Sequence, residues 1–140
     1  MESNWLNHLD AIRPSVDLGM LVLIWLVQLI IYPGFAHMRA ETFSPWHKSY
    51  MNRMGFIVAP LMLTQPLLIG LQIWLQPELL HLASAALVAL AWLATALFSV
   101  PAHHHLQKCG YDAAMIQRLV TTNWIRTFAW TGVCLLGLWA

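Results

Sequence analysis

Read for its apolar and polar positions, the chain falls into four long apolar stretches with short polar ones between them. Residues 18–36 and 54–77 carry no formal charge, and a third uncharged run covers 82–102. A bilayer's hydrocarbon core is about 30 Å thick and takes roughly 20 helical residues to cross. All three runs are long enough. The fourth is less simple. Residues 127–140 offer only 14 positions, about 21 Å of helix at 1.5 Å per residue. Extending back to Leu119 gives an adequate length and carries Arg126 into the helix. The predicted spans are residues 17–36, 54–76, 82–102 and 117–139. Short links between them favour an up-down-up-down bundle of antiparallel neighbours. The expected fold is all-α: one integral membrane four-helix domain over residues 1–140. Ahead of it, Trp5, Leu6, Leu9 and Ile12 recur at helical spacing, a pattern that predicts a short interfacial helix.

Composition supports the bilayer as solvent. The chain is 59% hydrophobic and 9% charged, against roughly 25% charged in soluble domains. The net charge of +1 argues against nucleic acid as a partner. Cys109 falls in a polar stretch and Cys134 in an apolar one, so both are expected as thiols. The N-terminal stretch has Glu2, Asp10 and Arg13 in place of a basic leader region, so the first apolar run is expected to remain as an anchor. Arg39, Lys48, Arg53, Lys108, Arg118 and Arg126 all lie toward one face, and Arg13 alone toward the other. The positive-inside rule then places loops 37–53 and 103–118 in the cytoplasm, with both termini outside the inner membrane.

Candidate chemistry collects at the basic face. His37 closes the first span, His47 opens the second, and His103, His104 and His105 close the third. Imidazole is a common ligand of copper, iron and haem. Carboxylates at that face are limited to Glu41 and Asp112, so a carboxylate-bridged di-iron site cannot be built. A copper or iron ion on His47, His103 and His37 can be. So can haem b held between His47 and His103, with Arg126 at a propionate. The same histidines also fit an interfacial role, binding head groups and water, or proton transfer. Tyr50 stands one turn from His47, with Met51 and Met54 on the same stripe, and could supply a proton. Asn123, Arg126 and Trp130 share a face of the fourth span and suit an anionic or carbonyl-bearing ligand. Gln28, Gln65 and Gln72 are expected to point inward and bond across helices. Pro60 and Pro66 are expected to bend the second span and open it locally.

The stretch Val100-Pro101-Ala102-His103, with Leu106, then Leu119 to Thr127 and Trp130, resembles a family of small four-span bacterial membrane proteins. The likeness continues through Gln28, Tyr32-Pro33, Phe35, Phe43, His47, Arg53, Pro60 and Met62. It implies roles for His47, His103, Asn123 and Arg126, and for the family no function is assigned. More distantly the layout is similar to the anthrone oxygenase-like membrane proteins, which implies oxidation of a polycyclic aromatic substrate. His103 departs from the asparagine-type residue expected there. The expectation drawn from residues and resemblance is a metal- or haem-dependent membrane oxidoreductase acting on a lipophilic or quinone-like substrate. Tyr50 and Arg126 would be its catalytic residues. The alternative is a non-catalytic partner: a homo-oligomeric, channel-like component or a subunit of a larger membrane complex, packed among lipids.

Overall fold

A computed structural model describes residues 2–139, with side chains described from residue 7 onward. Every regular element is helical. The first rod runs through α1 (Glu2–Leu26), a π-helical turn (Val27–Ile31) and α2 (Tyr32–Phe35). The second is α3 (Ala40–Leu75). The third joins α4 (Leu79–Ala94), a second π-helical turn (Thr95–Ser99) and α5 (Val100–Cys109). The fourth is α6 (Ala113–Gly137). Three stretches, Asn7–Phe35, Ala40–Leu75 and Leu79–Cys109, are long and apolar enough to cross a membrane.

The rods are longer than the apolar runs that announce them. Loops predicted at 37–53 and 103–118 shrink to links at 36–39 and 110–112. Hydropathy marks where a helix meets lipid and not where helix ends, and Glu41, Lys48 and Arg53 continue α3 well beyond its apolar part. The third link closes on Gly110, whose φ of +84° is a conformation only glycine adopts readily. Asp112 then caps α6, accepting the Met115 N–H at 3.0 Å.

The separate interfacial helix is not seen. Its Trp5 and Leu6 side chains lie outside the described residues, and α1 continues unbroken through Pro14 into the first apolar run. Burial of Arg13 and Asp17 in the bundle, at 2% and 1% exposure, explains why the polar N-terminal turns stay in line with the rest.

Both π turns end two residues before a proline, Pro33 or Pro101. A proline lacks the N–H that would bond the carbonyl four residues back, and a wider turn accommodates that loss. Proline alone does not impose it, since α3 stays α-helical through Pro60 and Pro66. Two polar clusters cross-link the bundle. Tyr32, His47, His103 and Arg126 form one, each from a different rod. Arg13, Gln72, Ser84 and Trp130 belong to the other, again one from each rod. Between them lie Met20, Ile24, Met62 and Ala91 of the apolar core, and Phe35, Phe43, Leu106 and Leu119 continue it beyond the first cluster toward the links at 36–39 and 110–112.

Candidate functional site

The first cluster is a chain of hydrogen bonds inside the bundle. His47 Nδ1 lies 3.0 Å from Gln107 Oε1, and His47 Nε2 lies 3.0 Å from His103 Nδ1. His103 Nε2 lies 2.9 Å from the Tyr32 hydroxyl, which in turn accepts from Arg126 Nη1 at 3.4 Å. The two ends set the direction. Arg126 can only donate and an amide oxygen can only accept, so with both imidazoles neutral each carries its proton on Nδ1. Tyr32 donates to His103, His103 to His47, and His47 to Gln107. The rings pack tightly: His47 stacks on Phe43 at 5.4 Å and on His103 at 5.2 Å, while Phe35 meets His47 edge-on.

Arg126 faces the bundle and is 7% exposed. Its Nη1 donates to Ser99 Oγ at 2.9 Å and Asn123 Oδ1 at 2.9 Å, and its guanidinium lies 5.1 Å from the Trp130 ring centre. All of these partners are neutral. Its buried Nε has no hydrogen-bond partner. The second π turn positions Ser99 for this contact, and the first positions Gln28, which bonds Asn123 and Thr127 behind the arginine.

A cavity of about 440 Å³ opens beside the guanidinium, between α3 and the third rod. Tyr32, Tyr50, His103 and Arg126 supply its polar wall, and Met51, Met54, Val58 and Met62 much of the rest. Of the residues predicted from sequence, Tyr50, His103 and Arg126 line this space and His47 stands directly behind. Asn123 and Trp130 do not line it. Asn123 is fully buried and spent on Arg126 and Gln28, and Trp130 lies against the guanidinium with its N–H on Gln65. Both are positioning residues. Tyr32, Ser99 and Gln107 were not singled out by sequence reasoning. Their only signal was a polar side chain at the inward register of an apolar run.

The five histidines expected at one face lie at the same end of the bundle, and two of them, His47 and His103, meet. His37 is exposed in the turn after α2, His104 is exposed at the cavity mouth, and His105 turns to Asp112 at 2.9 Å. Among the described residues, no three His, Cys, Asp or Glu side chains gather where a metal could be held. His47 and His103 do not fit as a ligand pair either. A shared ion would need both facing nitrogens to turn their lone pairs on it, with no proton between them. Here they face each other at 3.0 Å across a hydrogen bond. A haem between them would need the whole macrocycle in that gap. The outer nitrogens are also engaged, on Gln107 and Tyr32.

The second cluster was missed because Arg13, Asp10 and Asp17 read as a solvated end. Arg13 Nε donates to Asp17 at 3.1 Å, Nη1 to Gln72 at 3.1 Å and Nη2 to Ser84 at 2.6 Å. Gln65 donates to Asp17 at 2.6 Å and accepts from Trp130 at 2.9 Å. Every polar group here is answered from within, the pattern of an interhelical clasp. Asp112 is the one outlying carboxylate with a clear shift. The Met115 N–H, and after it His105, hold its carboxyl below the usual carboxylate range.

Comparison with known protein families, with curated proteins and with solved structures gives no match to this chain.

Proposed function

We propose that this protein is a four-span, up-down membrane bundle that binds a lipophilic ligand by an anionic or carbonyl-bearing head at Arg126. One observation carries the reading. Arg126 is a buried cation beside a cavity, its hydrogen-bond partners are all neutral, and its Nε has no partner. A buried charge without a counter-charge is costly, and inside a membrane such a residue marks a functional position. An anionic or carbonyl-bearing head in the cavity would answer the charge. The Met and Val wall suits the rest of a lipophilic molecule.

Tyr32 and His103 stand at the same wall, joined to His47 and Gln107. Groups that both donate and accept can exchange protons along such a chain. The chemistry assigned to this site is therefore ligand binding with proton exchange at the head. Tyr50 stands beside these residues, its ring centre 6.2 Å from that of His103.

The fourth span is α6, which falls short of the composition of the other three because it carries Arg118, Asn123 and Arg126. The last two are buried in the bundle and do not meet lipid. The basic residues near links 36–39 and 110–112 favour a cytoplasmic placement for both.

The test is a titration of detergent-purified protein with a long-chain carboxylate and, separately, a lipophilic quinone, followed by thermal melting. Binding to the folded state alone raises the melting temperature with ligand concentration. Arg126→Gln is expected to weaken the effective ligand about 10–100-fold, the worth of a hydrogen bond to a charged group. Equal binding by wild type and Arg126→Gln sinks the proposal.

A further inference from the structure

The cavity at Arg126 and a second, separate cavity lie along the same two helix faces. Residues Met51, Gly55, Val58, Met62, Pro66 and Gly70 follow one another at steps of three or four along α3, which places them on one helix face. Ala85, Ala89, Trp92, Thr95, Ser99 and His103 do the same along the third rod. The half of each stripe nearer the links at 36–39 and 110–112 lines the head cavity. The other half lines a second space of about 330 Å³, bounded only by apolar residues, whose first members Pro66 and Trp92 lie one turn beyond Met62 and Thr95. Ala85, Ala89 and Gly70 are too small to fill the space there, and a Cβ built on Gly70 meets nothing within 4 Å. From His103 to Ala85 this seam covers about 27 Å of helix at 1.5 Å per residue, longer than an extended palmitoyl tail.

Resting on the reading of Arg126 above, we infer that the ligand is a single-chain anionic amphiphile, its head on Arg126 and its tail along the seam between α3 and α4. The head is anionic because the buried guanidinium has no counter-charge of its own. A single tail is assigned because the seam between α3 and the third rod holds one all-apolar cavity beyond the head. The space on the other side of α3 shares Tyr50 and Met54 with the head cavity but is bordered by Ser49 and Arg53. The polar end lies beside the basic links and the tail runs toward the opposite end of the bundle, the orientation an amphiphile already has in a leaflet. Membrane lipid therefore supplies a lateral route of entry without a water-filled path.

The experiment is photolabelling of the full chain in detergent micelles with palmitate bearing a terminal diazirine. Labelling is expected at residues 69–73 and 85–92, removed by excess palmitate and not by the corresponding long-chain alcohol. Two glycine positions with open space beside them supply the controls. Leucine is the better helix former at both, so folding is not endangered. Gly70→Leu is expected to abolish labelling at 85–92 while leaving octanoate binding unchanged. Gly55→Leu, at the head cavity, is expected to weaken palmitate and octanoate alike.

Labelling confined to outward residues such as Phe56 and Trp74, or not removed by palmitate, overturns the inference. Equal competition by phosphatidylglycerol overturns the single-chain assignment. If palmitate binds through Arg126 but labels only residues of the head cavity, the tail placement alone fails. If wild type binds no carboxylate at any chain length, the reading of Arg126 fails with it.

Discussion

Arg126 and Arg13 are both buried guanidiniums in one small bundle, and their surroundings separate a site from a clasp. Arg13 has Asp17 at 3.1 Å and two neutral acceptors besides, so each of its three nitrogens is bonded. Arg126 lines a cavity, has neutral acceptors only and has a buried Nε without a partner. Breaking a buried pair by removing one member leaves an uncompensated charge and costs about 3–5 kcal/mol, whereas replacing both with apolar residues is often nearly neutral. Asp17→Ala is therefore expected to destabilise the protein by about that amount in denaturant titrations in micelles, and the Arg13→Met/Asp17→Leu double variant by much less. A double variant as damaged as the single one would show that Asp17 does something other than neutralise Arg13. Neither arginine's surroundings are visible in sequence, where the first looks like a solvated end and the second sits in an apolar run.

At the scale of elements, the irregular turns matter more than the regular helices. The two π turns fall at the level of the site and rotate Gln28, Tyr32 and Ser99 into contact with α6. Wider turns of this kind are frequent at functional positions. Their link to Pro33 and Pro101 could be read from sequence only as an interruption, because other prolines in the same chain leave an α-helix intact. The start of α6 has a local cause that spacing alone supplies, an aspartate three residues before a first-turn amide. Its carboxyl is held below the ordinary range by the Met115 N–H, and next by His105. A depressed carboxylate contributes stability above its unfolded-state value and loses it as pH falls through the folded one. Amide exchange at Met115 is accordingly expected to be well protected at neutral pH and to lose protection on acidification. In Asp112→Ala that protection should be low at both. A Met115 amide equally protected in the variant would remove the cap from the account.

For the whole molecule, the orientation follows from charge and the arrangement of the clusters. Cys109 is exposed at the end of the third rod, next to the link at 110–112, and Cys134 is buried. A membrane-impermeant thiol reagent is expected to label Cys109 in inverted vesicles and not in intact cells, with Cys134 silent in both. Labelling of Cys109 from outside would reverse the assigned topology. The sequence alone determined that the chain is helical and that it holds stretches long and apolar enough to cross a membrane, because apolar run length and the scarcity of charge are properties of composition and order. It also singled out His47 and His103, as imidazoles gathered at one end of the bundle, and Arg126, since a charge is costly within a span, and it turned Gln28, Gln65 and Gln72 inward for that second reason. Only the tertiary structure decided which of seven histidines meet, that the pair bonds to itself, and that two cavities line the seam between α3 and the third rod, one of them beside Arg126. Those facts depend on the rotation of each rod about its own axis and on distances between rods, and neither is encoded in the spacing of residues along any one of them.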